Sequence, residues 1–264
     1  MLELEAIAAA LADTQFAGGL HYFPSIGSTN TYALQQVQEG APHGSFYVAD
    51  EQTAGRGRSD HRWHSAAGEG LYLSVLLRLE WTVAELAWLP LLAGLVTHGA
   101  LVESAQIEAD LRWPNDILIG PKKVAGILVE APQATDSVRP VVVGIGVNVH
   151  QRGFSPDLAT AATSLDLASG RRISRQRVLI ALLQSLHAEL GRLKRDRPAA
   201  LAGIPERVAA VSSWVSGRAV DVHGPQACQG VTAGLDDRGF LRVQTADGLA
   251  TVTTGGIRAA KIGE

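Results

Sequence analysis

The chain has 264 residues, 46% of them hydrophobic and 19% charged, which suits one large globular domain or a domain with a small appendage and excludes a disordered chain. A single cysteine, Cys228, excludes a disulfide framework and any zinc site built on several cysteines. The formal net charge of −3 argues against a protein whose main work is gripping nucleic acid.

In chain order, the N-terminus carries Glu3 and Glu5 where a signal peptide would have positive charge, so a cytoplasmic protein is expected. Ser28 or Thr29 can cap a helix that runs to about Glu39, with Gly40 as its stop. Residues 45–52 are β-rich and end in polar Glu51 and Gln52. A glycine-rich, basic and aperiodic loop follows, and then a strand over 71–79. The most apolar stretch, 86–102, is interrupted by Pro90, Gly94, Thr97, His98 and Gly99. It reads as a buried helix broken near Pro90 rather than a bilayer span, and no membrane association is expected.

Residues 112–119 and 123–132 form two apolar runs around Gly120-Pro121-Lys122, the pattern of a β-hairpin. Residues 140–149 are almost continuously apolar and predict a central strand. After a loop at about 150–160, Ser174 caps a long amphipathic helix with Val178, Leu182, Leu186, Leu190 and Leu193 on one stripe. Beyond about Ala210, short β-type segments alternate with Gly- and Asp-rich turns, which predicts a small barrel-like β domain. The expected domains are 1–210 and 211–264.

Four clusters can carry chemistry. In Gly55-Arg56-Gly57-Arg58, glycines let the backbone approach a ligand and two guanidinium forks suit a carboxylate or phosphate, at about 1.5–3 kcal/mol per charge-assisted bond. Taken alone, the stretch reads more readily as a solvated loop. Lys122 and Lys123 point to opposite faces of a strand, so only one can enter a site; both can equally be turn lysines that keep an edge soluble. Trp113-Pro114-Asn115-Asp116 offers polar groups beside apolar strands, although a structural turn explains it as well. Ser28-Thr29-Asn30 is a helix cap first and a donor-rich ligand site second. No Walker loop is present, Gly144-Ile145-Gly146 lies inside a strand, and the eight histidines have no ligand spacing, so no metal site is expected.

Together and in this order, Ser28-Thr29-Asn30, the 51–58 segment with Trp63, Arg112-Trp113-Pro114-Asn115-Asp116, Lys123-Val124-Ala125-Gly126-Ile127-Leu128 and Gly144-Ile145-Gly146-Val147-Asn148 resemble the biotin protein ligases, over about 21–165. The resemblance implies an α+β fold: a mixed β-sheet flanked by helices, like the class II aminoacyl-tRNA synthetases, with a small C-terminal SH3-like β-barrel. It implies that biotin and ATP, as its Mg²⁺ complex, give biotinyl-5′-AMP and pyrophosphate, and that the acyl group passes to a lysine of a biotin carboxyl carrier protein of acetyl-CoA carboxylase. Ser28, Thr29, Asn30 and Gln52 would line the biotin pocket, and Arg56, Gly57 and Arg58 would form its loop. Lys123 would meet the biotin carboxylate and the adenylate phosphate. Arg56, Arg58, Trp63, Asn115, Lys123 and Asn148 would bind ATP or the adenylate. Arg58, Lys123 and Asp116 would be catalytic, with Asp116 near the incoming lysine as base or orienter. Phe154, in a loop that folds over the adenylate, is a candidate lid residue.

Bottom-up, Arg56, Arg58 and Lys123 are suitable cations to bring a carboxylate and a triphosphate together. The usual third glycine and third arginine of the loop are replaced by Asp60 and His61, which bears on retention of the intermediate, and Arg112 stands at a frequent lysine position with no evident contact. Only about twenty residues precede His21, too few for a winged-helix repressor domain, so no nucleic-acid partner is expected; a homodimer fits the family. A lipoate or octanoate ligase and a non-catalytic biotin sensor are the competing readings.

Overall fold

The structure is a computed structural model and describes residues 2–58, 61–133 and 137–260. The chain opens with α1 (Leu4–Ala10), β1 (Leu20–Phe23), α2 (Thr29–Gln38), β2 (Phe46–Ala49) and β3 (Gly70–Leu79). There follow α3 (Val83–Leu86), α4 (Leu89–Ala105), β4 (Asp110–Arg112), β5 (Asp116–Ile119), β6 (Lys122–Glu130) and β7 (Arg139–Asn148). Next come α5 (Leu165–Ser169), α6 (Arg175–Arg195), α7 (Arg197–Ala202) and α8 (Ile204–Ala210). Five short strands end it: β8 (Ser216–His223), β9 (Cys228–Leu235), β10 (Leu241–Thr245), β11 (Gly248–Val252) and β12 (Gly256–Ala259).

The first seven strands make one mixed sheet in the order β1-β2-β3-β7-β6-β5-β4, with β1 and β2 parallel and the other pairs antiparallel. Side-chain alternation sorts its two faces. Leu71, Leu73, Val75 and Leu77 of β3, with Val141, Val143, Ile145 and Val147 of β7, join the main core. There α4 packs on β4, β5 and β6, while α6 packs on α4 and β3. The alternate residues Leu76 and Val142 meet Ala33, Val37 and Tyr47 under α2 on the other face. The segment Val83–Ala105, which takes in α3 and α4, is long and apolar enough to pass for a membrane span, but Leu89, Leu91, Leu92, Val96, Ala100 and Leu101 are buried in this core.

The helix expected over 86–102 and broken near Pro90 is two helices, with the break just before Pro90. Thr82 and Glu85 form a capping box that starts α3, and Pro90 lies in the first turn of α4, where its missing N–H is not needed. Ser28 caps α2 by accepting from the Thr31 N–H, and Ser174 caps α6 by accepting from Arg177. On α6, Val178, Leu182, Leu186 and Leu193 are buried as expected, with Leu190 half-buried. Strand β2 stops at Ala49, earlier than the sequence suggests, and Gln52 instead makes an isolated bridge with Ile26.

The second sheet has the order β11-β10-β9-β8-β12, antiparallel throughout, and among the described residues its end strands β11 and β12 do not pair. The segment that leads into it from α8 and its β9–β10 turn are tied to the first part of the chain by bonds from the Leu111 N–H to the Val211 carbonyl (3.0 Å) and from Trp113 Nε1 to the Gly239 carbonyl (3.2 Å).

Candidate active site

The α2 face of the large sheet has a floor of small residues. Register places Ser74 opposite Gly144 and Gly144 opposite Leu128 in one row; Tyr72, Gly146 and Gly126 form the next. Because β7 alternates, its two glycines fall on this face while Val143, Ile145 and Val147 point into the core. An ideal Cβ on Gly144 would lie 2.2 Å from Asn30 Oδ1, and one on Gly146 would lie 2.6 Å from Trp63 Nε1. The Gly-Ile-Gly stretch is therefore a packing device that brings α2 and the 53–69 loop close over the sheet. A narrow cleft opens here, lined among others by Ser28, Gln52, Arg58, Trp63 and Lys123.

Its wall at the start of α2 is a connected polar network. Gln52 Oε1 accepts from the Thr29 N–H (2.9 Å) and hydroxyl (3.0 Å), and Gln52 Nε2 donates to Ser65 Oγ at 2.9 Å. The Ser74 hydroxyl lies 2.8 Å from Thr29 Oγ1 and 2.5 Å from Asn30 Oδ1. Asn30 Nδ2 donates to Glu130 Oε2 at 2.9 Å, and the same carboxylate takes both Nη atoms of Arg56, at 3.1 and 2.8 Å.

The opposite end is cationic. Arg58 Nη1 donates to Asn115 Oδ1 (3.2 Å) and to the Gly255 carbonyl of the second sheet (2.8 Å). Burial lowers its guanidinium pKa, and the nearby Asp116 charge opposes that. Asn115 Nδ2 donates to the Ile127 carbonyl at 2.7 Å, fixing the turn. Lys123 Nζ sits 2.6 Å from Asp116 Oδ1 and 5.2 Å from the centre of a Trp63 ring. Burial pushes the Asp116 carboxyl up, but Lys123 and Arg112 outweigh it and hold the carboxyl below the usual range. Four cations (Arg56, Arg58, Arg112, Lys123) thus face two carboxylates (Asp116, Glu130), leaving a surplus of positive charge suited to an anion.

Most of the residues singled out from sequence come together here. Ser28, Thr29, Asn30, Gln52, Arg56, Gly57, Arg58, Trp63, Asn115 and Lys123 all line the cleft. Lys123 faces it while Lys122 is exposed. Asp116 reaches it through Lys123. Asn148 stands apart: it is buried, and its Nδ2 donates to the Thr163 carbonyl at 3.0 Å, holding the loop that follows β7. That loop runs back beside Lys123, whose N–H donates to the Ala161 carbonyl at 2.8 Å; Phe154, half-buried, lies within it. Asp60 lies outside the described residues. His61 is exposed and its ring Nδ1 lies 3.0 Å from the Arg58 carbonyl. Among the described residues, no group of three or more His, Cys, Asp or Glu comes together to hold a metal ion.

The family model described as the biotin/lipoate A/B protein ligase family matches residues 22–148. The bifunctional ligase/repressor BirA of Bacillus subtilis is 36% identical over 240 residues, covering 88% of this chain and 71% of that protein. The biotin--[acetyl-CoA-carboxylase] ligase of Mycobacterium tuberculosis is 33% identical over 238 residues, covering 88% and 85%. This chain belongs to the biotin protein ligase family. Among solved structures, the biotin protein ligase of Aquifex aeolicus in complex with biotin and ATP superposes with a TM-score of 0.77 at 29% identity, covering 92% of this chain and 99% of that one. The mixed sheet flanked by helices is thus the ligase fold.

Placed in that fold, the site also holds residues that sequence reading passes over. Glu130 follows Gly126 and Leu128 at the strand period of two, a signal that puts it on the cleft face. Ser74 is the one polar residue amid the apolar run Leu71–Leu77 of β3. Arg112, without evident contact in the sequence, is among the most engaged side chains of this ligase: Nη2 donates to Asp116 Oδ2 at 2.6 Å and to Thr160 Oγ1 at 3.1 Å.

Proposed function

We propose that the chain forms biotinyl-5′-AMP from biotin and MgATP in this cleft and transfers biotin to a lysine of a biotin carboxyl carrier protein. The carrying observation is one glycine-floored cleft with an amide- and hydroxyl-rich wall at one end and Arg58 and Lys123 at the other, in a chain of this family. The wall suits a ureido ring, which needs donors and acceptors together. Ser28, Thr29, Asn30 and Gln52 bind that ring, and Arg56 and Gly57 close the loop over it.

In the first half-reaction a biotin carboxylate oxygen attacks the α-phosphorus of ATP. The bond to the bridging oxygen breaks and pyrophosphate leaves. Lys123 and Arg58 screen the two anions from each other and stabilise charge that grows on the α-phosphate; Mg²⁺ arrives with the ATP. Trp63, Asn115 and Asn148 serve the adenylate side, Asn148 by holding the loop that flanks it. In the second half-reaction the carrier lysine amine attacks the acyl carbon, AMP leaves with the bonding electrons and the amine gives its proton to solvent. Asp116, ionised and with an oxygen against each of Arg112 and Lys123, is better suited to orient that amine than to take its proton.

The reading treats 1–210 as the catalytic unit and 211–264 as an SH3-like unit that contributes the Gly255 contact. It places the protein in the cytoplasm, with a homodimer formed through the large sheet.

Pyrophosphate release measured with biotin, lipoate or octanoate, with and without a carrier domain, tests it. Release that depends on biotin, with label on a carrier lysine, is expected. Release with lipoate or octanoate alone replaces biotin with another acid, and biotin binding without pyrophosphate makes the chain a sensor.

A further inference from the structure

In the β4–β5–β6–β7 register, Arg112 pairs with Asp116, Asp116 with Gly126 and Gly126 with Gly146. Arg112 therefore ends the same cross-strand row that floors the cleft, and it points to the same face. It is only 7% exposed. Its guanidinium reaches three separate parts of the chain: the Asp116 carboxylate on β5, the Thr160 hydroxyl on the loop after β7, and the Trp214 ring, whose centre is 5.4 Å away. Trp214 lies between α8 and β8, where the chain passes into the second sheet, and Arg218 stacks on it at 3.7 Å. A planar guanidinium can hold a carboxylate in its plane and an indole against its face at once, which an ammonium does less well. Asp116 Oδ2 is thus fixed by Arg112, leaving Oδ1 for Lys123 at 2.6 Å.

We propose that Arg112 is a positioning residue for the acyl-transfer step: it fixes the Asp116 carboxylate beside Lys123, and the seating of Thr160 and Trp214 on its guanidinium makes that placement depend on the post-β7 loop and on the second sheet. The inference rests on the proposed function and deepens it. A lysine amine that enters the cleft must meet the acyl carbon at a defined angle, and a carboxylate free to swing by an ångström loses that alignment. The charged groups that face Asp116 are Lys123 from β6, Arg112 from β4 and Arg58 from the 53–69 loop; Thr160 and Trp214 are neutral. Removal of Arg112 takes away one of three cations, so Asp116 protonates at higher pH and the acid limb of transfer moves up with it.

The test uses the full chain, purified biotinyl-5′-adenylate and a carrier domain, with biotin-dependent pyrophosphate release measured in parallel. Arg112→Met keeps the volume and removes the charge. It is expected to slow single-turnover transfer about tenfold to a hundredfold, to slow pyrophosphate release far less, and to raise the acid limb. Arg112→Lys is expected to recover most of the transfer. Thr160→Val, which removes one hydroxyl at the half-buried rim and leaves the core intact, should move transfer the same way by a smaller factor. Transfer at the unaltered rate in Arg112→Met, or equal losses in both half-reactions with an unmoved acid limb, overturns the proposal. An unaltered chain that releases no pyrophosphate with biotin instead overturns the functional reading beneath it.

Discussion

At Gly144 a missing side chain decides the position of Asn30, because the nearest place for a methyl group is already taken by the Asn30 amide. Gly144→Ala forces Asn30 out and breaks its contacts with Ser74 and Glu130 together. Overpacking and lost buried bonds of this kind cost about 1–3 kcal/mol, so a lower denaturant midpoint with an unchanged slope is expected, with biotin affinity weakened at least about tenfold by calorimetry. Affinity unchanged in a folded variant would remove Asn30 from the binding wall. The residues of this cleft are legible in the sequence where a local rule marks them: Ser28 by capping and the loop arginines by their glycines, while alternation says only that one of Lys122 and Lys123 can enter a site. Glu130, Ser74 and Arg112 are harder to read, since their partners come from α2, the 53–69 loop and the neighbouring strand, brought together by the fold and not by a local sequence rule. Arg56 and Arg58 show the limit of spacing itself. Two residues apart, they go to different partners, Arg56 to Glu130 and Arg58 to Asn115 and Gly255.

Among the elements, long apolar strands and the capped helices α2 and α6 follow directly from pattern, whereas α1 and β12 do not. Helix α1 has seven residues and one fully buried apolar side chain, Ile7, too short a pattern to stand out before it packs on α6. The start of α3 is set by the Thr82–Glu85 capping box, which also carries a pH dependence. Burial raises the Glu85 carboxyl, but the Thr82 backbone N–H, its hydroxyl and Arg197 outweigh this and hold it below its ordinary value near 4.5. A depressed carboxyl stabilises the fold above its unfolded value and loses that contribution as pH falls through the folded one. The stability gap between the unaltered chain and Glu85→Gln is therefore expected to be full at pH 6 and to shrink below about pH 4.5. Thr82→Ala should lower stability by about 1 kcal/mol at neutral pH. Denaturant midpoints measured across that range check both, and a gap that widens on acidification would reverse the assignment.

For the molecule as a whole, the question is whether the second sheet is a separate unit or part of one cooperative structure. Val220, Leu241, Val243 and Ile257 of the second sheet belong to the same buried cluster as Leu73, Leu101 and Val143 of the first part. The polar ties agree: Asp110 accepts from the Ser213 N–H at 2.9 Å, Trp113 Nε1 donates to Gly239, and Arg58 from the cleft donates to Gly255. A cleft residue bonded to the second sheet means that undocking this sheet also frees the loop. One unfolding transition is then expected, with tryptophan emission and backbone ellipticity changing together. Amides of β8 and β10 should exchange with the same free energy as those of β3 and β7. Trp113→Phe keeps the ring in its buried place and removes the bond to Gly239, which should lower that common free energy by about 1 kcal/mol without separating the two sheets. A variant in which the second-sheet amides exchange early while those of β3 stay protected would divide the chain into two independently opening parts. The control of Asp116 through Trp214 would then have to act by local contact alone.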